Sequence, residues 1–311
     1  MNRRVDLHVH VVPERYGALL ASHGASSGAP ASLEALRANM DRYGIDASVL
    51  SITAPGPHLG DRAQAIDLAR AANESLAAIV SADPAHFAAL AVLPLPDVDA
   101  AIGELEYALD RLGLDGAILF SNTAGVYLGD PAWEPLYAEL DRRGAYAFVH
   151  PTEPDYVLPL GRQHPMWLYE FPFDTTRAIA NLIFSGTLER YPSIRFQFAH
   201  LGGAVPFLAT RLASLADREP ERTQAAPSGV AEYLARHYYD TGLSQSVAAI
   251  EATRAVAPLT HIVFGTDWPY AALPEDGADP APQLSWLTPE EREALDWRNA
   301  AALVPRLASA Q

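Results

Sequence analysis

Short, almost wholly apolar runs alternate along this chain with longer stretches whose apolar positions recur every three or four residues, a pattern of strands followed by helices. Strands are expected over residues 5–10, 47–53, 87–93, 116–120, 145–150, 194–200, 238–241 and 261–264. The helical period marks residues 33–43, 61–80, 97–112, 173–188, 204–215 and 247–256, a further helix opening at Asp130-Pro131, and a helical end over 289–307. Local chemistry punctuates the pattern: Ser32 suits a helix start and Gly44 a helix stop, and Pro55-Gly56-Pro57 ends the second strand. Residues 13–30, rich in Gly, Ala and Ser with little period, read as a long loop. The fifth strand is apolar nearly throughout, as strands buried on both faces of a parallel sheet are.

Eight such strand–helix units predict an α/β fold, the (β/α)8 TIM barrel, as a single domain over residues 1–311. A doubly wound open sheet fits less well, because no Gly-x-Gly-x-x-Gly turn follows any strand. Three Pro- and Gly-containing insertions, 23–30, 154–164 and 273–283, follow strand ends, where the active-site loops of barrels lie.

Composition narrows the chemistry. A formal charge of −16 opposes binding to nucleic acid or acidic membranes, and an anionic substrate therefore needs a local cation. No cysteine is present, which excludes disulfides, thiolate ligands and cysteine nucleophiles. All 22 basic residues are arginine, which excludes a Schiff-base lysine, a phosphate-loop lysine and a carboxylated lysine bridging two metals. No apolar run approaches a membrane span, and the first motif begins at residue 5, so a cytoplasmic protein without a leader is expected.

Four strands end in metal or proton chemistry. His8 and His10 share one face of the first strand, since side chains alternate there. His150 and His200 end the fifth and sixth strands, and the eighth runs into Asp267. A closed barrel brings all these ends to one mouth. His8, His10, His150 and Asp267 offer three nitrogens and an oxygen to one divalent metal, zinc first, with manganese or iron tolerated, and no organic cofactor is called for. His200 is then either a further ligand or, by preference, a free imidazole that moves protons. Asp174 reads as the N-cap of the helix it opens. Arg177 could lie on the surface or aim at a substrate carboxylate, and Trp268 and Tyr270, following Asp267, could line the mouth. His23, His58, His86, His164, His237 and His261 stand at no matching strand end and read as structural or surface residues.

The runs Asp6-Leu7-His8-Val9-His10, His150-Pro151, His200-Leu201-Gly202-Gly203-Ala204-Val205-Pro206-Phe207 and Gly265-Thr266-Asp267 resemble the amidohydrolase superfamily. Within it the likeness is to the branch of α-amino-β-carboxymuconate-ε-semialdehyde decarboxylase. That resemblance implies a metal held by His8, His10, His150 and Asp267, with His200 as catalytic acid/base. It also implies a homodimer in which Arg211, eleven residues past His200, crosses to bind the substrate carboxylate in the neighbouring site. Trp167 stands where the family has an aromatic lid. The run Phe171-Pro172-Phe173-Asp174-Thr175-Thr176-Arg177, followed by Leu182-Ile183 and Ser185-Gly186, is similar to the 6-methylsalicylate decarboxylase branch. Related hydroxybenzoate decarboxylases carry Glu where this chain has Gly203. The expected activity is metal-dependent, non-oxidative decarboxylation of a small aromatic or enolic carboxylic acid, with metal-dependent hydrolysis of a lactone or amide as the alternative. A barrel that binds without turnover fits less well, because all five chemistry-bearing positions are present.

Overall fold

In the computed structural model, which describes residues 3–28, 31–154, 163–277 and 279–309, eight strands follow one another in sequence order around one parallel sheet. They are β1 (Val5–His10), β2 (Ala47–Ser51), β3 (Phe87–Val92), β4 (Gly116–Phe120), β5 (Tyr146–His150), β6 (Arg195–Phe198), β7 (Tyr238–Asp240) and β8 (Ile262–Val263). The ring closes where Leu7 N–H donates to Phe264 O at 3.0 Å, Asp267 N–H to His8 O at 2.8 Å and His10 N–H to Trp268 O at 2.8 Å. The expected (β/α)8 barrel is therefore what the chain forms. Strands such as Phe87–Val92 and Tyr146–His150 are buried at every position, which is why they read as unbroken apolar runs.

Helices cover the outside: α1 (Glu14–Ser22), α2 (Leu33–Tyr43), α3 (Arg62–Ala82), α4 (Val98–Glu106), α5 (Glu134–Arg143), α6 (Met166–Phe184), α7 (Thr187–Arg190), α8 (Val205–Ala213), α9 (Leu215–Arg218), α10 (Val230–Arg236) and α11 (Val247–Arg254). Ser32, Asp61, Asp97 and Ser246 each accept the N–H of the residue three positions on, satisfying a donor that the first helical turn leaves open. Gly44, at φ 60°, ends α2 in the left-handed cap.

Four departures from the sequence reading have physical causes. Residues 13–30 are not loop throughout, since α1 forms by burying Tyr16 and Leu20 one turn apart. Its weak period includes Gly17, where a Cβ would lie 2.9 Å from Val12 Cγ1. Helix α6 starts at Met166 rather than 173 and carries Pro172 inside it. A proline there forfeits one hydrogen bond, and the buried face running through Ala178, Ile179, Leu182 and Ile183 outweighs that loss. At its other end Gly186, at φ 78°, separates α6 from α7. The segment 289–307 is a succession of short helical pieces, Pro289–Glu293, Ala294–Arg298, Asn299–Ala302 and Pro305–Ser309, rather than one helix. A small hairpin, Asn122–Thr123 with Val126–Tyr127, was too short to register as a pattern. Most of the expected loop 154–164 lies outside the described residues.

Candidate metal centre and pocket

The C-terminal ends of β1 and β5 and the turn after β8 bring His8, His10, His150 and Asp267 together. All four are buried, and one ligand atom from each lies within 4.8 Å of the others. His8 Nε2 stands 3.2 Å from His10 Nε2, and Asp267 Oδ1 lies 3.3 and 3.1 Å from those two nitrogens. The opposite nitrogen of each ring has an acceptor. His8 Nδ1 meets Asp240 Oδ1 at 2.8 Å, His10 Nδ1 meets Ile52 O at 3.1 Å, and His150 Nδ1 meets Pro151 O at 3.0 Å. An acceptor at Nδ1 holds the ring proton there, so each Nε2 turns a lone pair to the centre.

Those lone pairs face a carboxylate. Among the described residues no donor reaches Asp267 Oδ1 with hydrogen-bonding geometry, although the atom is buried. Electron-rich atoms this close repel unless a cation is shared among them. Protonation behaviour points the same way. Burial pushes the His150 imidazole well below its usual range, and the neighbouring histidines push it further; burial lowers His10 as well. For His8, burial is outweighed by Asp240 and Asp267, which hold its second proton up to about 10. The two carboxylates thus favour positive charge at this ring, as they would favour a cation beside it. The donor set, three imidazole nitrogens and one carboxylate oxygen, therefore fits a divalent cation.

His200 stands beside this group rather than in it. Its Nε2 is 3.3 Å from Asp267 Oδ2, and its backbone N–H donates to Asp240 Oδ1 at 3.2 Å. The chain passes through four consecutive positive φ angles here: His200 at 54°, Leu201 at 53°, Gly202 at 75° and Gly203 at 64°. Each of the two side-chain-bearing residues costs about 1–2 kcal/mol in that conformation. The expense is local to a residue that faces the pocket, where such strain is characteristically found.

Two carboxylates escaped the sequence reading. Asp240, at the end of β7, accepts from His8 Nδ1, from Gln197 Nε2 at 2.8 Å, and from the backbones of His200 and Gly242. It thereby fixes His8 and the His200 turn with one group. Asp6 accepts from Thr266 Oγ1 at 2.6 Å and from the N–H groups of Thr266 and His8. Burial pushes its carboxyl up to about 6. Asp240 ends an apolar strand just as the predicted ligands do, which was the available signal.

A cavity of about 560 Å³ opens onto this group. Its polar end is His150, His200 and Asp267, and its walls include Trp167, Leu168, Phe171, Pro172, Leu243 and Tyr270. Trp167 and Tyr270 thus line the pocket, and Tyr270 Oη donates to Ser27 O at 2.7 Å. Trp268, Arg177 and Arg211 do not line it; the two arginines are exposed on α6 and α8. Among the described lining residues there is no arginine. Asp174 is not an N-cap: it lies inside α6, fully buried, because the helix begins two turns earlier than the pattern indicated.

Barrel, cluster and pocket together define the architecture of a metal-dependent amidohydrolase-type barrel. The chain belongs to the amidohydrolase family, whose profile matches residues 5–306. It is 34% identical to a 6-methylsalicylic acid decarboxylase of Aspergillus aculeatus, over 99% of this chain and 98% of that one. A 2-amino-3-carboxymuconate-6-semialdehyde decarboxylase of Dictyostelium discoideum is 28% identical over 86% of this chain and 82% of its own length. Among solved structures, an amidohydrolase II superposes with a TM-score of 0.86 at 28% identity, covering 96% of this chain and 99% of that one.

Proposed function

We propose that the protein is a metal-dependent, non-oxidative decarboxylase of a small aromatic carboxylic acid, 6-methylsalicylate or a close relative first. The observation that carries this reading is the pocket itself: apolar, aromatic walls ending in His150 and Asp267 of the four-residue cluster and in the further imidazole of His200. Such walls suit a flat ring and keep water from it, while the polar end suits the acid group. The decarboxylase relatives support the reading. His8, His10, His150 and Asp267 are assigned as ligands, and zinc is the proposed ion because imidazole nitrogens with a carboxylate oxygen are donors it takes in catalytic sites. When bound, the cation supplies a Lewis acid that draws electron density from substrate oxygens.

The chain's own residues do the rest. The bond from the ring carbon to CO₂ breaks, its electron pair stays on the ring, and a proton takes the vacated position. His200 delivers that proton from its imidazole, with Asp267 Oδ2 holding Nε2 in place. Trp167 and Phe171 hold the ring and exclude bulk water. With no arginine among the described lining residues, Arg211 of a second copy is the proposed partner for the carboxylate. It lies one turn beyond Phe207, which is 86% exposed on α8, so the two share a helix face suited to contact between copies.

The test is CO₂ release from a panel of methylsalicylates, hydroxybenzoates and muconate semialdehydes, run beside lactones and amides. We expect metal-dependent CO₂ release, and His200→Ala should keep the metal while losing about 10²–10⁴-fold in turnover. Hydrolysis without CO₂, or full activity in His200→Ala, overturns the proposal.

A further inference from the structure

We propose that Asp174 is a positioning residue for His150, acting through Ser121 and one peptide plane. The inference rests on the reading of His150 as a metal ligand. Asp174 is buried inside α6, where an ionised carboxylate is costly unless its lone pairs are satisfied. Three neutral donors reach it: Ser121 Oγ and Asn122 Nδ2, the latter at 3.0 Å, on Oδ2, and Tyr127 Oη on Oδ1.

The bond from Ser121 has a consequence beyond satisfying the carboxylate. With its only proton committed to Asp174, the Ser121 hydroxyl has lone pairs alone to offer, and one accepts the Thr152 N–H at 3.1 Å. The backbone N–H of Ser121 donates to His150 O at 2.8 Å. Ser121 thus grips the chain on both sides of Pro151. The Thr152 N–H and the Pro151 carbonyl belong to one planar peptide unit, so fixing the first aims the second. That carbonyl is the acceptor, at 3.0 Å, that holds the His150 Nδ1 proton and turns Nε2 to the metal centre. Without the carboxylate, the hydroxyl is free to rotate, the peptide plane loses its anchor, and the imidazole loses its orientation.

Asp174 also ties this relay to the pocket. The turns of α6 that precede it carry Trp167, Leu168, Phe171 and Pro172, all of which line the cavity. The wall that would hold the substrate ring and the ligand His150 are therefore joined through one buried carboxylate.

The experiment titrates Co²⁺ into the metal-free full-length protein, reading visible absorption and competition with a chelator. Asp174→Asn and Ser121→Ala should each weaken Co²⁺ binding about 10-fold, the lower end for groups that orient a ligand, and should shift the absorption bands. In a His150→Ala background the same changes should weaken it no further. Tyr127→Phe removes a donor from Asp174 but leaves Ser121 in place, so it should lower thermal stability without changing Co²⁺ affinity or spectrum. If Asp174→Asn fails to fold, Ser121→Ala decides. Variants at 121 and 174 that lose stability yet bind Co²⁺ as the wild type does overturn the inference and leave the metal site standing. A wild type that binds no Co²⁺, or a His150→Ala protein that binds it unchanged, overturns the ligand reading itself and this inference with it.

Discussion

Gly203→Ala is the substitution for which the structure gives the firmest number. Gly203 has φ 64° and ψ −125°, a region that side-chain-bearing residues rarely enter. A Cβ added there would stand 2.1 Å from Pro172 O and 2.9 Å from Thr176 Oγ1. The nearer atom is helix backbone, so α6 or the His200 turn must move. The backbone conformation costs about 1–3 kcal/mol, and forcing the two segments apart adds about 1–3 kcal/mol more. A total of about 2–6 kcal/mol should lower Tm by roughly 3–9 °C in a chain of 311 residues, whose unfolding entropy is about 2.1 cal/mol/K per residue. Differential scanning calorimetry at one fixed scan rate is the assay, since proteins of this size commonly unfold irreversibly. Gly44→Ala is the control: Gly44 also has positive φ, at 60°, but no atom lies within 4 Å of its added Cβ. It should lose only the conformational part, roughly 1 kcal/mol. If Gly203→Ala melts within about 1 °C of Gly44→Ala, the tight apposition of α6 and the His200 turn is not what requires glycine, and the reasoning fails.

Two further outcomes are expected. His237 is buried against Phe196 and Phe198, with ring centroids 5.4 and 5.7 Å away, and burial, helped by Arg236 and His261, lowers its imidazole to about 3. The unfolded chain takes up this proton near pH 6.5, so the wild type keeps its full stability above that pH and loses about 1.4 kcal/mol per pH unit from this group as pH falls toward 3. His237→Leu should therefore unfold less steeply with acid in denaturant titrations between pH 7.5 and 5, and an unchanged slope would refute the assignment. For the proposed dimer, mixing inactive Arg211→Ala and His200→Ala subunits after dissociation should restore roughly a quarter of wild-type activity, because half the dimers are mixed and one site in each is complete. Persistent inactivity of the mixture, with mixed dimers verified by mass, would show that Arg211 does not act across an interface.

The barrel was legible because its strands are buried on both faces and their apolar runs stand out from helical periodicity. The four clustered residues and His200 were legible for a related reason: each ends a strand or follows one closely, and a closed parallel barrel puts all such ends together. What failed to show depends on contacts between elements. Asp240 serves His8 across 232 positions, and no local pattern reports that partner. Proline in α6 concealed two turns of helix, and the same error made Asp174 look like a cap rather than a buried group inside the helix. Arg177, which the sequence leaves open between surface and substrate, is exposed, and so is Arg211, for which the resemblance implies a role in a neighbouring subunit. Tyr270, by contrast, follows from its place shortly after the eighth strand, and Trp167 is indicated by the family resemblance.

The misplaced helix start and the misread Asp174 both belong to α6, and together they explain the helix. Its first turns form the wall of the cavity through Trp167, Leu168, Phe171 and Pro172. In its middle, Thr176 Oγ1 donates to Pro172 O at 2.7 Å and accepts Ala204 N–H at 2.9 Å, binding the helix to the turn that carries His200. Asp174, two residues away, reaches Ser121 and through it the peptide that orients His150. A helix selected only for stability gains nothing from an internal proline or a buried carboxylate, each of which costs hydrogen bonds or solvation. Both become intelligible if α6 must hold three things in register: the apolar wall, the imidazole beside the metal centre, and one histidine within it. Gly203 completes that arrangement by omission, since any side chain there would force the wall away from His200.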